Sequence, residues 1–157
     1  MTKLALITGA TSGIGKATAL AFAEKNINLI LCGRKTAVLS ELETELSKQV
    51  SVTTLNFDVR DKNEVHKKIE SLPESFQNID ILINNAGNAH GLDPIQNGNL
   101  EDWDAMLDIN VKGLLYVSKA IIPGMIERKS GISLILVLLP AKKYIPMEMC
   151  IAPVSLR

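Results

Sequence analysis

The feature that most constrains the fold is a glycine-rich turn at residues 8–15, directly after the first apolar run at residues 3–7. That run is short and carries no charge after its first residue, as expected of a strand buried on both faces of a sheet. Apolar residues then recur at helical spacing. At such a corner Gly9 permits a tight turn, Gly13 lets the backbone approach a pyrophosphate, and Gly15 lets the helix pack on the strand. An ordinary turn in an unrelated α/β protein remains the alternative.

Further apolar runs alternate with helical patterns along the chain. Strands are predicted at residues 28–32, 50–57 and 79–83, and helices over residues 36–48, from Asp61 to Pro73, and from Asn99 to near Pro123. Asp61 followed by Glu64 resembles a capping box, and Asn99 is a suitable N-cap. This alternation predicts βαβ units, a parallel sheet and right-handed crossovers.

Composition excludes several classes of protein. The 157 residues are 46% hydrophobic and 22% charged, which suits one globular domain. Lys plus Arg and Asp plus Glu both number 17, so no net charge favours nucleic acid or an acidic membrane surface. Cys32 and Cys150 are too few for a disulfide framework. No leader is expected, nor an apolar stretch of the roughly 20 residues that span a bilayer, so we expect a soluble cytoplasmic protein.

The end of the second strand indicates which dinucleotide would bind. It carries no acidic residue to hold a ribose 2′-hydroxyl. Arg34 lies there instead, about 20 residues after the glycine turn, where a guanidinium would pair with the 2′-phosphate of NADP and Lys35 could assist. An arbitrary loop arginine is more often simply solvated, but beside the glycine turn Arg34 favours NADP over NAD.

Three further motifs make the resemblance specific. Asn-Asn-Ala-Gly occupies residues 84–87 straight after the fourth strand, Asp58 and Val59 follow the third, and Asn110 lies in the long helix. With the spacing Gly-x-x-x-Gly-x-Gly, the chain resembles the short-chain dehydrogenase/reductase family from about residue 2 to 131. It is most similar there to NADP-dependent 3-hydroxy acid (serine or allo-threonine) dehydrogenases, through the residues around Trp103 and at 123–128 among others.

The resemblance implies a Rossmann-like, doubly wound parallel α/β sheet, here incomplete, with about four to five strands and the last strands missing. It also implies hydride transfer between NADP(H) and a small hydroxy acid or carbonyl substrate. Asp58 would contact adenine, residues 84–87 would support the sheet and cofactor, and Asn110 would hold a water in the proton relay of the catalytic tetrad. The implied cofactor-binding residues are Gly9, Thr11, Ser12, Gly13, Ile14, Gly15, Arg34, Lys35, Asp58, Val59, Asn85, Ala86 and Gly87. Family members are homo-oligomers through the helix from Asn99, a state that is doubtful for this chain.

After Gly131 the chain departs from the family pattern. A catalytic Ser and a Tyr-x-x-x-Lys should follow, but Tyr144 is followed four residues on by Glu148, and the sequence stops at Arg157. We therefore predict a dinucleotide-binding domain over residues 1–131 and a non-family tail over 132–157. Residues 132–139 are apolar enough for a buried fifth strand beside the fourth, and the remainder is expected to be irregular. An uncovered sheet edge would favour aggregation.

The genetic code offers an explanation for the tail. Suppose that the true codons begin at the third base of each codon that encodes the printed sequence. Residues 147–151 then yield Gly, Asn or Asp, Val, and Tyr or His. The junction of residues 154 and 155 permits Lys four codons after the position of that Tyr or His. A one-base slip near Gly131 is our hypothesis. Degenerate codons permit many sequences, which is the alternative. Coding DNA whose other frame lacks Tyr-x-x-x-Lys near codon 150 would exclude the slip.

Two classes of function stay open. The chain is either an NADP(H)-dependent oxidoreductase or a nucleotide-binding remnant. The second is favoured for these 157 residues, because loss of a general acid/base alone removes about 10²–10⁴-fold of rate. A methyltransferase would leave residues 84–87 and Asn110 unexplained. No metal is expected, since neither histidine (His66, His90) has a partner at ligand spacing and the soft ligands of residues 147–150 make a poor site.

Overall fold

The computed structural model describes residues 2–91 and 93–136. The strands are β1 (Leu4–Thr8), β2 (Asn28–Gly33), β3 (Val52–Asn56), β4 (Ile81–Asn84) and β5 (Ile132–Ile135). The helices are α1 (Gly13–Glu24), α2 (Thr36–Leu46), α3 (Lys62–Glu70), α4 (Leu100–Leu107) and α5 (Leu114–Glu127). Short 3₁₀ turns occupy Glu74–Phe76 and Ile95–Asn97.

The strands form one parallel sheet in the order β3-β2-β1-β4-β5. The central strand β1 pairs with β2 through Ile7 opposite Leu31, and with β4 through Ile7 opposite Ile83. The order reverses at β1, and α/β sheets bind ligands beyond the carboxyl ends of the strands at such a switch point. The sheet is Rossmann-like, as the sequence predicted.

Two hydrophobic cores lie on the two faces of the sheet. Alternate residues of β1 point to opposite faces, so Leu4 and Leu6 enter one core while Ala5 and Ile7 enter the other. The first core includes side chains from α3 and α5, and the second includes side chains from α1 and α2. With both faces covered, β1 is buried along its whole length, which explains its continuous apolar sequence.

The fifth strand pairs in parallel with β4, with Ile83 opposite Leu134. The expectation that it is buried is wrong for the part that the structure describes, because Ile132 is 60% exposed and Leu134 48% exposed. Among the described strands it lies at the end of the sheet order, where only β4 pairs with it. Residues 137–157, and with them the rest of the predicted tail, lie outside the described residues.

The predicted long helix is confirmed, but it contains a π-helical segment at Asp108–Gly113 between α4 and α5. Asn99 caps it by accepting a hydrogen bond from the Glu101 N–H at 2.9 Å. The continuous helix Leu100–Glu127 is long and apolar enough to cross a membrane by length and composition. This differs from the expectation that no apolar stretch is long enough to span a bilayer. One such helix is weak evidence for a membrane span, since core helices of soluble proteins share these properties.

The capping box at α3 is only half formed. Asp61 accepts hydrogen bonds from the N–H groups of Asn63 and Glu64, at 2.9 and 3.0 Å. Glu64 does not return a bond to Asp61, and its Oε2 instead accepts one from the Asp58 N–H at 3.3 Å. The acidic side chain therefore braces the turn between β3 and α3.

Candidate functional site

The carboxyl ends of β1 and β4 are joined by a buried set of hydrogen bonds. The hydroxyl oxygen of Thr8, which is 2% exposed, accepts from the N–H groups of Asn85 and Ala86 at 3.0 and 2.9 Å. In return the Asn85 side-chain amide donates to the carbonyl oxygens of Thr8 and Gly9 at 2.9 and 3.1 Å. The glycine turn is thereby fixed against the Asn-Asn-Ala-Gly segment.

Each of the three glycines in the turn has a distinct environment. Gly9 and Gly13 both have positive φ, +64° and +51°, a backbone conformation that side chains disfavour. A Cβ on Gly15 would overlap the Gly9 carbonyl oxygen and the Asn85 amide. A Cβ on Gly13 would instead meet nothing within 4 Å. Gly13 therefore faces open space at the start of α1, whereas Gly15 packs against the turn itself.

The backbone N–H groups in the first turn of α1 are available as hydrogen-bond donors. Ser12 is the N-cap, but its side chain makes no capping hydrogen bond. The first N–H groups of a helix have no partner within the helix, and the helix dipole gives this end partial positive charge. Ile14 is 46% exposed on the same turn. This arrangement fits an anionic group such as a phosphate.

The end of β2 lies beside the glycine turn. The Ala10 N–H donates to the Cys32 carbonyl oxygen at 3.0 Å, and the Thr11 methyl group would lie 2.8 Å from a Cβ on Gly33. Arg34 and Lys35 follow directly, and both are exposed. The structure therefore places the glycine turn and Arg34 on the same edge of the sheet.

Asp58, after β3, brings two guanidinium groups to this edge. Its carboxylate is 2.7 Å from Arg60 Nη2 and 3.7 Å from Arg34 Nη1. The pKa of Asp58 is lowered, first by the hydrogen bonds from the Arg60 side chain and to a smaller extent by the charge of Arg34. The neighbouring Val59 is buried, and its side chain would lie 2.7 Å from a Cβ on Gly113. Val59 therefore packs against the π-helical segment.

Asn110 lies in that π-helical segment and holds the loop after β4. Its Oδ1 accepts from the Asn88 N–H at 2.9 Å, and its Nδ2 donates to the Asn88 carbonyl oxygen at 2.8 Å. A Cβ on Gly87 would lie 3.0 Å from the same Oδ1. The side chain thus binds both polar groups of one residue's backbone. π-Helical turns are frequent at functional sites.

Two buried amide oxygens near this loop, Asn84 Oδ1 and Asn88 Oδ1, have no hydrogen-bond partner among the residues that the structure describes. Asn84 Nδ2 donates to Ser118 Oγ on α5 at 3.0 Å, which connects the end of β4 to the helix that carries Asn110.

Both histidines lie at the surface. His66 is 3.3 Å from Glu70, and both side chains are largely exposed. His90 contacts the Asn88 side chain at 2.7 Å and lies 3.9 Å from Asp102. Within residues 2–91 and 93–136, no cluster of three or more His, Cys, Asp or Glu side chains is arranged to hold a metal ion.

Sequence reasoning missed two contributors to this edge. One is the Thr8 hydroxyl, for which the signal is that a hydroxyl at the end of a buried strand needs polar partners. The other is Arg60, whose position two residues after Asp58 is the signal for a local carboxylate–backbone turn.

Comparison with known proteins identifies the family. A family model described as short chain dehydrogenase matches residues 3–137. The chain belongs to the short chain dehydrogenase family. The match reaches beyond residue 131 and includes β5, while the predicted domain boundary at 131 stays a prediction.

Relatives of the chain include sulfoacetaldehyde reductase 2 of Chromohalobacter salexigens, 46% identical over 135 residues, which are 86% of this chain and 54% of that protein. The NADP-dependent 3-hydroxy acid dehydrogenase YdfG of Escherichia coli K12 is 41% identical, over 82% of this chain and 51% of that protein. Within the family, the chain therefore lies close to the predicted group.

Solved structures give the same result. The closed form of serine dehydrogenase complexed with NADP⁺ has a TM-score of 0.78 and 39% identity, covering 84% of this chain and 52% of that one. NAD⁺-bound xylitol dehydrogenase has a TM-score of 0.80 and 32% identity, covering 85% and 52%. The chain spans about half the length of the curated relatives it matches.

The Asn110 contacts lead to a stability prediction. Asn110→Ala removes both bonds to the Asn88 backbone, each worth about 0.5–1.5 kcal/mol, so the free energy of unfolding should fall by about 1–3 kcal/mol. Amide exchange at Asn88 should accelerate at the same time. Asn110→Asp keeps the acceptor and loses the donor, so its effect on exchange should be intermediate. Unchanged exchange in Asn110→Ala would contradict the assigned contacts.

The lowered pKa of Asp58 leads to a pH prediction. A carboxylate with a lowered pKa stabilises the folded state above its unfolded pKa of about 3.9, and this contribution is lost as pH falls through the folded value. The wild type should therefore lose more unfolding free energy between pH 5 and pH 3 than Asp58→Asn does, as measured by urea denaturation. Arg60→Gln should reduce the loss as well. Equal losses in all three proteins would contradict the pairing.

Proposed function

We propose that this chain binds NADP(H) along the carboxyl edge of its sheet, as the cofactor-binding part of an oxidoreductase acting on a small hydroxy acid or carbonyl substrate. The observation that carries the proposal is the juxtaposition of the glycine turn with Arg34. A phosphate-binding turn on β1 and an exposed arginine after β2 suit a dinucleotide that carries an additional phosphate.

The fit of the pyrophosphate can be judged from the turn itself. The open space above Gly13 would admit a group that a side chain would otherwise block. The backbone N–H groups at the start of α1, near Ser12 and Ile14, would then donate hydrogen bonds to the pyrophosphate oxygens. Thr11 would line the same turn, against Gly33.

The adenosine end would lie over β2 and β3. Arg34, with Lys35 beside it, would pair with the 2′-phosphate, and Asp58 would contact the adenine. Val59 would support this end indirectly, since it is packed against Gly113. The names of the relatives favour the same cofactor, because YdfG is NADP-dependent and the serine dehydrogenase structure contains NADP⁺. The NAD⁺ in xylitol dehydrogenase keeps NAD as the alternative.

The nicotinamide end would lie over β1 and β4. Asn85, Ala86 and Gly87 would line it, and Asn110 would hold the following loop in place through Asn88. The bound cofactor would supply the hydride, or accept it, at its nicotinamide ring. Asn110 would contribute to the proton relay of such an enzyme as its anchoring residue. A cytoplasmic location and self-association through the long helix remain proposals of the same kind.

A second candidate function for these 157 residues is cofactor binding without turnover. Its support is in the sequence, where neither tyrosine is followed four residues on by lysine: Tyr116 is followed by Ala120 and Tyr144 by Glu148. Without such a pair, the general acid/base step of the family's chemistry has no identified donor. We therefore propose that the chain as given binds NADP(H) but turns substrate over poorly or not at all.

Titration of NADPH and NADH into the purified chain tests the proposed site. NADPH should bind at least about tenfold more tightly than NADH, because one charge-assisted pair is worth about 1.5–3 kcal/mol. Arg34→Gln should remove that preference by weakening NADPH and leaving NADH nearly unchanged. Fluorescence of the bound nicotinamide is a suitable signal. Equal affinities in the wild type would end the assignment of Arg34.

Steady-state assays with NADP⁺ and serine or a 3-hydroxy acid separate the two candidate functions. Tight NADPH binding with a rate at least about 10²-fold below that of an intact relative would support binding without turnover. A rate equal to that of the relative would overturn it and favour the full oxidoreductase.

A further inference from the structure

The turn after β3 holds one carboxylate between two guanidinium groups. Asp58 Oδ2 accepts from Arg60 Nη2 at 2.7 Å and from Arg60 Nε at 3.1 Å. Asp58 Oδ1 accepts from the same Nε at 3.1 Å and from the Arg60 backbone N–H at 3.0 Å. Both carboxylate oxygens are thus engaged by one residue.

Arg34 is the second guanidinium, and it holds a weaker position. Its Nη1 lies 3.7 Å from Asp58 Oδ2, beyond hydrogen-bond distance, and its side chain is 64% exposed. A carboxylate that is already bound on both oxygens offers Arg34 little more than its residual charge. Arg34 therefore keeps its donors available although an acidic side chain lies close by.

Arg60 has a structural advantage in this competition. Arg60 lies two residues from Asp58. Its backbone N–H donates to Asp58 Oδ1, and the same oxygen accepts from the Arg60 side chain. The turn is held further by the Asp61 N–H, which donates to the Asp58 carbonyl oxygen at 3.1 Å. A partner anchored in the same turn loses less conformational entropy on pairing than a long side chain from a neighbouring strand.

The other acidic group near Arg60 has its own cation. The charge of Asp108 contributes to raising the pKa of Arg60, but the Asp108 carboxylate is 2.7 Å from Lys112 Nζ. Each of the two carboxylates is thereby hydrogen-bonded by a basic side chain near it in sequence. Glu64 points to the Asp58 N–H rather than to either guanidinium, at 3.3 Å.

We propose that Arg60 is a positioning residue for cofactor selection: by occupying Asp58, it keeps the Arg34 guanidinium available for the 2′-phosphate of NADP(H). The inference rests on the proposed function. Without Arg60, Asp58 Oδ2 would be open to Arg34, whose Nη1 already lies 3.7 Å away. Arg34 would then have to break an ion pair with Asp58 before it could bind the 2′-phosphate. This would weaken the binding of NADPH but not that of NADH, which lacks that phosphate.

The experiment compares the ratio of NADH to NADPH dissociation constants in single and double variants of the full chain. Arg60→Gln should reduce the ratio about five- to tenfold, through weaker NADPH binding at nearly constant NADH binding. Lys62→Gln is the matched control, since it removes one nearby exposed positive charge without releasing Asp58, and it should change the ratio less than about twofold. Thermal unfolding of each variant identifies any loss of fold.

Two double variants distinguish positioning from direct contact. If Arg60 acts through Arg34, Arg60→Gln should leave the ratio unchanged in an Arg34→Gln background. If Arg60 itself binds the phosphate, the ratio should fall further there, and the proposal is wrong. Asp58→Asn combined with Arg60→Gln should restore most of the ratio lost in Arg60→Gln, because an amide does not capture Arg34.

Failure of the inference and failure of the proposed function give different results. If the wild type does not prefer NADPH, the proposed function fails. If the wild type prefers NADPH but Arg60→Gln weakens both cofactors equally, or matches Lys62→Gln, only the role of Arg60 is overturned.

Discussion

The candidate site depends on the buried Thr8 hydroxyl at the end of β1. Its oxygen is the shared acceptor for two N–H groups at the start of the loop after β4, while Asn85 donates back to the glycine turn. An unpaired buried N–H costs about 1–3 kcal/mol, so the two segments are strongly held in one arrangement. The positions of Gly9 and Asn85 relative to each other follow from this one link.

Much of the architecture could be predicted because it is written in local patterns. The apolar runs of β1, β2 and β4, the spacing of the glycines and the Asn99 cap each act over a few residues, and the structure contains all of them. The exposure of β5 could not be predicted from such local patterns. Its sequence is largely apolar, like that of β1, but its position at the end of the described sheet leaves Leu134 exposed.

The site was predictable in part for a similar reason. Gly13 and Arg34 could be named from their spacing and Asp58 from the family resemblance, and the structure brings the three to one edge of the sheet. The competition at Asp58 could not be named, because it requires knowing that β2 and β3 are neighbours and that the turn after β3 brings Arg60 back to the carboxylate. Pairwise geometry of this kind arises only once the strands are in register.

The π-helical segment at Asp108–Gly113 has a consequence for the remainder of the helix. Such a turn accommodates one residue more than an α-helix would over the same length, and one residue corresponds to about 100° of rotation. Beyond it, Val117 is buried and Leu115 is 56% exposed. The segment thus determines which residues of α5 face the sheet. In a homologous chain with one residue fewer at this point, different sequence positions of the helix would face the sheet.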